Sequence, residues 1–207
     1  MFSHEDILGI IYKAITEEKP AVALRIALST IYGCRAGEVA QMDSSQIDID
    51  AMTVEIPTEK KGVKRPQPIP EELKPLFSVP LTTTRLDTVR AQLRRVCKKA
   101  NVPCPKGKGI HAIRRAVVTA LYNISELKEL SIRKFLRWST NVGMGVMPKY
   151  VKKPVEITDR EVLELHPFVK TWIELLPLID YAPKWADTGL RCAFINKYIT
   201  PTKSGKE

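Results

Sequence analysis

The stretch from Ala21 to Tyr32 limits the fold more than any other part of the chain. It reads AVALRIALSTIY, with Leu24, Ala27, Leu28 and Ile31 at helical spacing. A helix this apolar is buried on most sides, so other elements must surround it. Pro20 suits its first turn and Gly33 its stop. Ahead of it, Ser3 and Asp6 resemble a capping box. Behind that signal, Ile7, Leu8, Ile11, Ala14 and Ile15 form an apolar stripe that ends near residues 17–19. After the buried helix, Ala36–Met42 reads as a short further helix.

Residues 47–69 change period. Ile47, Ile49, Thr53, Val54 and Ile56 alternate with polar residues around an Asp50-Ala51 turn. Lys60-Lys61-Gly62 reads as a second turn and Val63–Ile69 as a third strand. Neither Pro66 nor Pro68 has an N–H to donate to a ladder, which confines that strand to a sheet edge. Helical signals then resume. They cover residues 70–77, 84–100 (Leu86, Val89, Leu93, Val96 and Cys97 inward) and 111–122. Another runs from a Ser125 cap to about Trp138, and another from the Thr158–Glu161 capping signal to about Leu176. Tyr12, Tyr32 and Tyr122 lie on apolar helices and read as core. The expected fold class is mainly α with a small three-stranded antiparallel sheet. Residues 139–147 hold two glycines and read as a mobile loop, and Pro148 opens a helix containing Tyr150.

Charge is unevenly spread along these elements. Residues 1–59 hold 4 basic and 10 acidic side chains, a net of −6. Residues 60–153 hold 22 and 5, a net of +17, and residues 154–207 come to −1. A middle segment this basic points to a polyanion partner, because each Lys or Arg on a phosphate releases a counterion. Cys34, Cys97, Cys104 and Cys192 are scattered without a C-x-x-C pair, and three histidines offer no zinc spacing. Reduced thiols, no metal and no cofactor are expected. No charged-then-apolar leader opens the chain, and no apolar run reaches about 18 residues. The expected setting is cytoplasmic, in a prokaryote or a virus-infected host cell, without membrane contact.

The residues that stand out are polar groups placed just after apolar helices. Arg35 lies in GCRAGEVAQM, Lys60 and Lys61 in EKKGVKRPQPIP, and His111 and Arg114 in GIHAIRRAVVTAL. Trp138 and Tyr150 lie in FLRWSTNVGMGVMPKY. These strings, in this order, resemble the boxes of the tyrosine recombinases, the integrases of phages, plasmids and viruses. The resemblance covers roughly residues 3–155. It implies the catalytic-domain fold of DNA breaking-rejoining enzymes over residues 1–155, with a helical tail over 156–207. That tail either packs on its own domain or is exchanged between protomers.

The resemblance also implies roles. Arg35 and Arg114 would clamp the scissile phosphate, with Glu38 orienting the first of them. Lys60 or Lys61 would be the general acid, His111 would assist proton transfer, and Trp138 would contact the phosphate or fill the core. Tyr150 would attack the phosphorus and remain linked to the DNA 3′ end. Lys64, Arg65, Arg115 and Lys149 would meet the DNA backbone. Double-stranded DNA is the implied partner, with a homotetramer on DNA and either a monomer or an oligomer when free. The twelve positions from Trp138 to Tyr150 make a longer linker than the family pattern implies. It would deliver the tyrosine from a displaced position, to its own active site or a neighbour's. Two other readings use the same residues: a type IB topoisomerase, and a DNA-binding module without catalysis.

Overall fold

The computed structural model describes residues 1–58, 64–105, 109–138 and 155–188. Helix α1 (His4–Glu17) begins at Ser3, whose hydroxyl accepts the Asp6 N–H while the Asp6 carboxylate accepts the Ser3 N–H. This reciprocal cap satisfies two N–H groups that a helix start leaves open. Helix α2 (Pro20–Ile31) has every residue buried except Ala21. It packs against α1, α3 (Ala36–Gln41), α4 (Lys74–Phe77), α5 (Leu86–Lys99), α6 (Gly109–Tyr122) and α9 (Pro167–Leu175). The central helix expected from its composition is therefore the hub of the core. Its two buried hydroxyls are satisfied locally: Ser29 and Thr30 donate to the carbonyls of Arg25 and Ile26.

Gly33 ends α2 with φ +59°. A Cβ there would sit 3.0 Å from a Leu136 methyl and 3.7 Å from Arg114 Cγ. Glycine thus meets both a left-handed backbone and a close approach. Gly33→Ala should destabilise the fold by about 1–2 kcal/mol, the cost of a left-handed L-residue. A denaturant midpoint at the wild-type value would contradict this.

Strands β1 (Ile47–Asp48), β2 (Thr53–Glu55) and β3 (Pro66–Pro68) form one antiparallel sheet in that order. Thr53 pairs with Pro68, Val54 with Gln67 and Glu55 with Pro66. β3 is an edge strand, as its prolines require. The register turns Gln67 inward, where it is fully buried. The Tyr32 hydroxyl donates to the Pro68 carbonyl at 2.8 Å and ties the end of α2 to the sheet.

Several expectations are corrected. Tyr12, Tyr122 and Leu86 are exposed, while Tyr32 is buried. Helix α7 covers only Glu129–Phe135, starting at Lys128 rather than Ser125, and Trp138 lies beyond its end. The single helix expected from Thr158 to Leu176 is two, α8 (Val155–Leu165) and α9. Pro167 causes the break: it restricts the residue before it and starts α9 at its first position. His166 caps α9, its Nδ1 accepting the Phe168 N–H at 3.2 Å. Both helices pack within the chain's own core. The Trp172 indole donates to Thr30 Oγ1 at 2.8 Å and the Trp185 indole to the Ile15 carbonyl at 2.9 Å. Cys34, Cys97 and Cys104 are free thiols. No helix among the described residues is long and apolar enough to cross a membrane.

Candidate active site

Three chain segments converge beside Gly33: the α2–α3 turn, the middle of α6, and the residues that follow α7. Arg35 is the N-cap of α3 and Glu38 its third residue. The Glu38 carboxylate accepts the Arg35 backbone N–H and the Arg35 Nη1, each at 2.7 Å. The Arg35 side chain is 30% exposed, whereas the Glu38 side chain is fully buried. Burial alone would raise the Glu38 carboxyl. The Arg137 charge and the hydrogen bonds from Arg35 outweigh burial and hold it below the ordinary carboxylate value.

Arg114 lies on α6 with its side chain buried. Its Nη1 donates to the Gly33 carbonyl and its Nη2 to the Leu136 carbonyl at 3.2 Å. Its Cζ stands 5.8 Å from the centre of the Trp138 ring. Burial, then the charges of Arg35 and Arg137, push the guanidinium down to about 10. It is still protonated at neutral pH. Cys34 does not neutralise the cluster, because burial pushes its thiol up to about 12. Arg35, Arg114 and Arg137 against Glu38 therefore leave an excess of two positive charges at a half-open site. A tetrahedral oxyanion suits that excess, and paired guanidinium N–H groups suit its oxygens.

His111 and Arg115 are exposed on α6, one turn and one residue from Arg114. They line, with Arg114, Val118, Thr119 and Trp138, a cleft of about 390 Å³. The structure thus brings Arg35, Glu38, Arg114 and Trp138 together, with His111 and Arg115 on the adjoining cleft wall. Lys60, Lys61, Lys149 and Tyr150 lie outside the described residues. Lys64 is exposed and pairs with Glu55 at 2.7 Å, a surface pair of small energetic weight. Arg65 is placed inside, not on an open basic face. Both its Nη atoms meet the buried Asp159 carboxylate, and Nη2 also donates to the Lys134 carbonyl at 2.9 Å. Among the described residues, no group of three or more metal-binding side chains converges.

Arg137 and Gln67 also belong to the cluster. Arg137 is buried and donates to Gln67 Oε1 at 2.7 Å, to the Tyr32 carbonyl at 3.3 Å and to Glu38 Oε2 at 3.2 Å. The only sign in the sequence is an arginine set between apolar neighbours in FLRW.

Mainly helical, with a small antiparallel sheet at the flank of the arginine cluster, the architecture is integrase-like. Among solved structures it is similar to the integrase from mycobacterium phage Brujita, with a TM-score of 0.54 and 16% identity. The match covers 84% of this chain and 56% of that one, so the chain spans little more than half of that integrase. At this identity the likeness is one of fold. No protein-family model matches the sequence, and no curated protein matches it.

Proposed function

We propose that the chain is a DNA strand-transferase of the tyrosine recombinase type, acting on duplex DNA. The observation that carries the reading is the Arg35–Glu38–Arg114–Trp138 cluster, net positive and half open, in an integrase-like fold. Arg35 and Arg114 hold the non-bridging oxygens of the scissile phosphate. The Tyr150 hydroxyl attacks the phosphorus, the bond to the 5′-oxygen breaks, and a 3′-phosphotyrosyl bond forms. Lys60 or Lys61 gives a proton to the leaving 5′-oxygen, and His111 assists removal of the tyrosine proton. Attack by a 5′-hydroxyl reverses the step and rejoins a strand. Two guanidiniums supply the charge stabilisation that the transition state requires, so no metal ion is invoked.

On DNA the active form is a homotetramer that exchanges strands in sequence, as integration of a mobile or viral genome requires. Arg115 and Lys149 meet the backbone beside the site, with Lys64 further out. Arg65 is assigned instead to the α8 contact, since its donors are engaged there.

The test is a nicked suicide duplex that loses a short 5′-hydroxyl fragment on cleavage and so traps the adduct. Wild type should migrate as a DNA-linked species on a denaturing gel, and digestion should place the nucleotide on the peptide containing Tyr150. Tyr150→Phe should give no adduct. Binding without any adduct would leave only a DNA-binding module. Relaxation of supercoiled plasmid by a monomer, without site preference, would favour a topoisomerase.

A further inference from the structure

Helix α7 ends in a way that a sequence rule does not favour. The Trp138 N–H bonds back to the Arg133 carbonyl at 3.0 Å and the Arg137 N–H to the Lys134 carbonyl at 2.9 Å. This is the Schellman arrangement, whose left-handed position is usually glycine. Here that residue is Arg137, at φ +58°. A non-glycine residue rarely takes this conformation without a compensating interaction. The compensation is the buried guanidinium.

From that position Arg137 reaches three elements. Nη1 meets Gln67 on β3, and Gln67 in turn donates to the Phe135 carbonyl at 3.0 Å. Nη1 also meets the Tyr32 carbonyl at the end of α2, and Nη2 meets Glu38 on α3. Its chain neighbours on both sides handle Arg114: the Leu136 carbonyl accepts from it, and the Trp138 ring packs against it. One side chain therefore links the carboxylate that holds Arg35 to the backbone that holds Arg114.

We infer that Arg137 is a positioning residue that sets the spacing and charge of the Arg35–Arg114 pair through Glu38. The inference rests on the function proposed above. The titratable and charged groups around Glu38 are Cys34 and Arg35 from its own turn, Arg114 from α6 and Arg137 after α7. Without Arg137, burial dominates the Glu38 carboxyl and drives it toward the neutral form. A neutral Glu38 holds the Arg35 guanidinium without charge assistance. The neutral form prevails at acid pH, so cleavage is lost there first.

Arg137→Gly separates backbone from side chain, since glycine accepts φ +58° with no strain. Single-turnover cleavage of the nicked duplex is measured against pH for wild type, Arg137→Gly and Arg137→Lys. The acid limb of the Arg137→Gly profile should move up by about one to three pH units, the size of one close opposite charge. Arg137→Lys, which keeps a charge at the site and is the milder change should the glycine variant not fold, should return the limb toward wild type. A purely structural role lowers the rate at every pH in parallel, and that outcome overturns the inference. Titration of the Glu38 side-chain carboxyl by carbon-13 NMR gives a readout independent of cleavage. An unmoved Glu38 in the folded Arg137→Gly protein also overturns it. Wild type that forms no adduct, with Glu38 still shifted in the variant, would sink the proposed activity and leave the Arg137–Glu38 coupling standing.

Discussion

Arg114→Lys should cut the rate of strand cleavage by about 10²–10³, the effect of removing one donor aimed at a developing oxyanion. An arginine carries five N–H donors in a fixed plane. In Arg114 one is committed to the Gly33 carbonyl and one to the Leu136 carbonyl, and among the described residues the other three are uncommitted. The two internal bonds and the Trp138 ring fix the plane in which the free donors lie. A lysine has a single nitrogen. It cannot bridge two carbonyls from different elements and still present paired donors to a phosphate. Affinity for duplex DNA should fall only a few-fold, because one phosphate contact among many contributes a small share. Single-turnover cleavage on the nicked duplex and fluorescence anisotropy on an intact one separate the two effects. A thermal melt accompanies them, since the lost carbonyl contacts also support the fold. Cleavage by Arg114→Lys within tenfold of wild type would remove Arg114 from the phosphate clamp.

The helical plan was legible because it rests on local chemistry. Ser3 and Asp6 announce a cap, Pro20 and Gly33 bracket the buried helix, and Pro66 with Pro68 mark an edge strand. The same local signals failed where a second local rule outweighed them. Thr158 resembles a cap but sits inside α8, and the boundary that matters is Pro167. Tyr12 and Tyr122 lie on amphipathic helices, yet their faces look outward, and periodicity alone does not say how wide the buried stripe is. Of the residues that stand out after apolar helices, Arg35, Glu38, Arg114 and Trp138 lie together, while Lys60, Lys61 and Tyr150 lie outside the described residues. Arg137 was not legible, because its partners Tyr32, Glu38 and Gln67 stand 105, 99 and 70 positions away. A buried arginine is tolerated only with such partners, and no local pattern encodes them. Arg65 failed for the same reason, its carboxylate partner lying 94 positions on.

Arg65→Ala should lower the stability of the fold by about 3–5 kcal/mol, the penalty for stranding one charge of a buried ion pair. The Arg65 side chain is 14% exposed and the Asp159 side chain fully buried. Burial is the strongest influence on Asp159 and raises its carboxyl above the ordinary value even with Arg65 against it. The pair as a whole therefore adds little to stability, whereas half of it costs a great deal. Without Arg65 the carboxyl rises further, so the folded state holds a proton that the unfolded state has already released. The sign follows from linkage: the penalty is small at acid pH, where both states are protonated. It grows as pH rises above the unfolded value near 4 and is complete above the raised folded value. The denaturation midpoint of Arg65→Ala should thus approach wild type below pH 4 and fall away from it toward neutrality. Arg65→Met with Asp159→Leu removes both charges at similar volume and should recover most of the loss. The alternative role for Arg65, a contact to the DNA backbone, predicts the reverse pattern. Arg65→Ala would then keep the wild-type midpoint at every pH and lose about one unit from the slope of DNA affinity against salt.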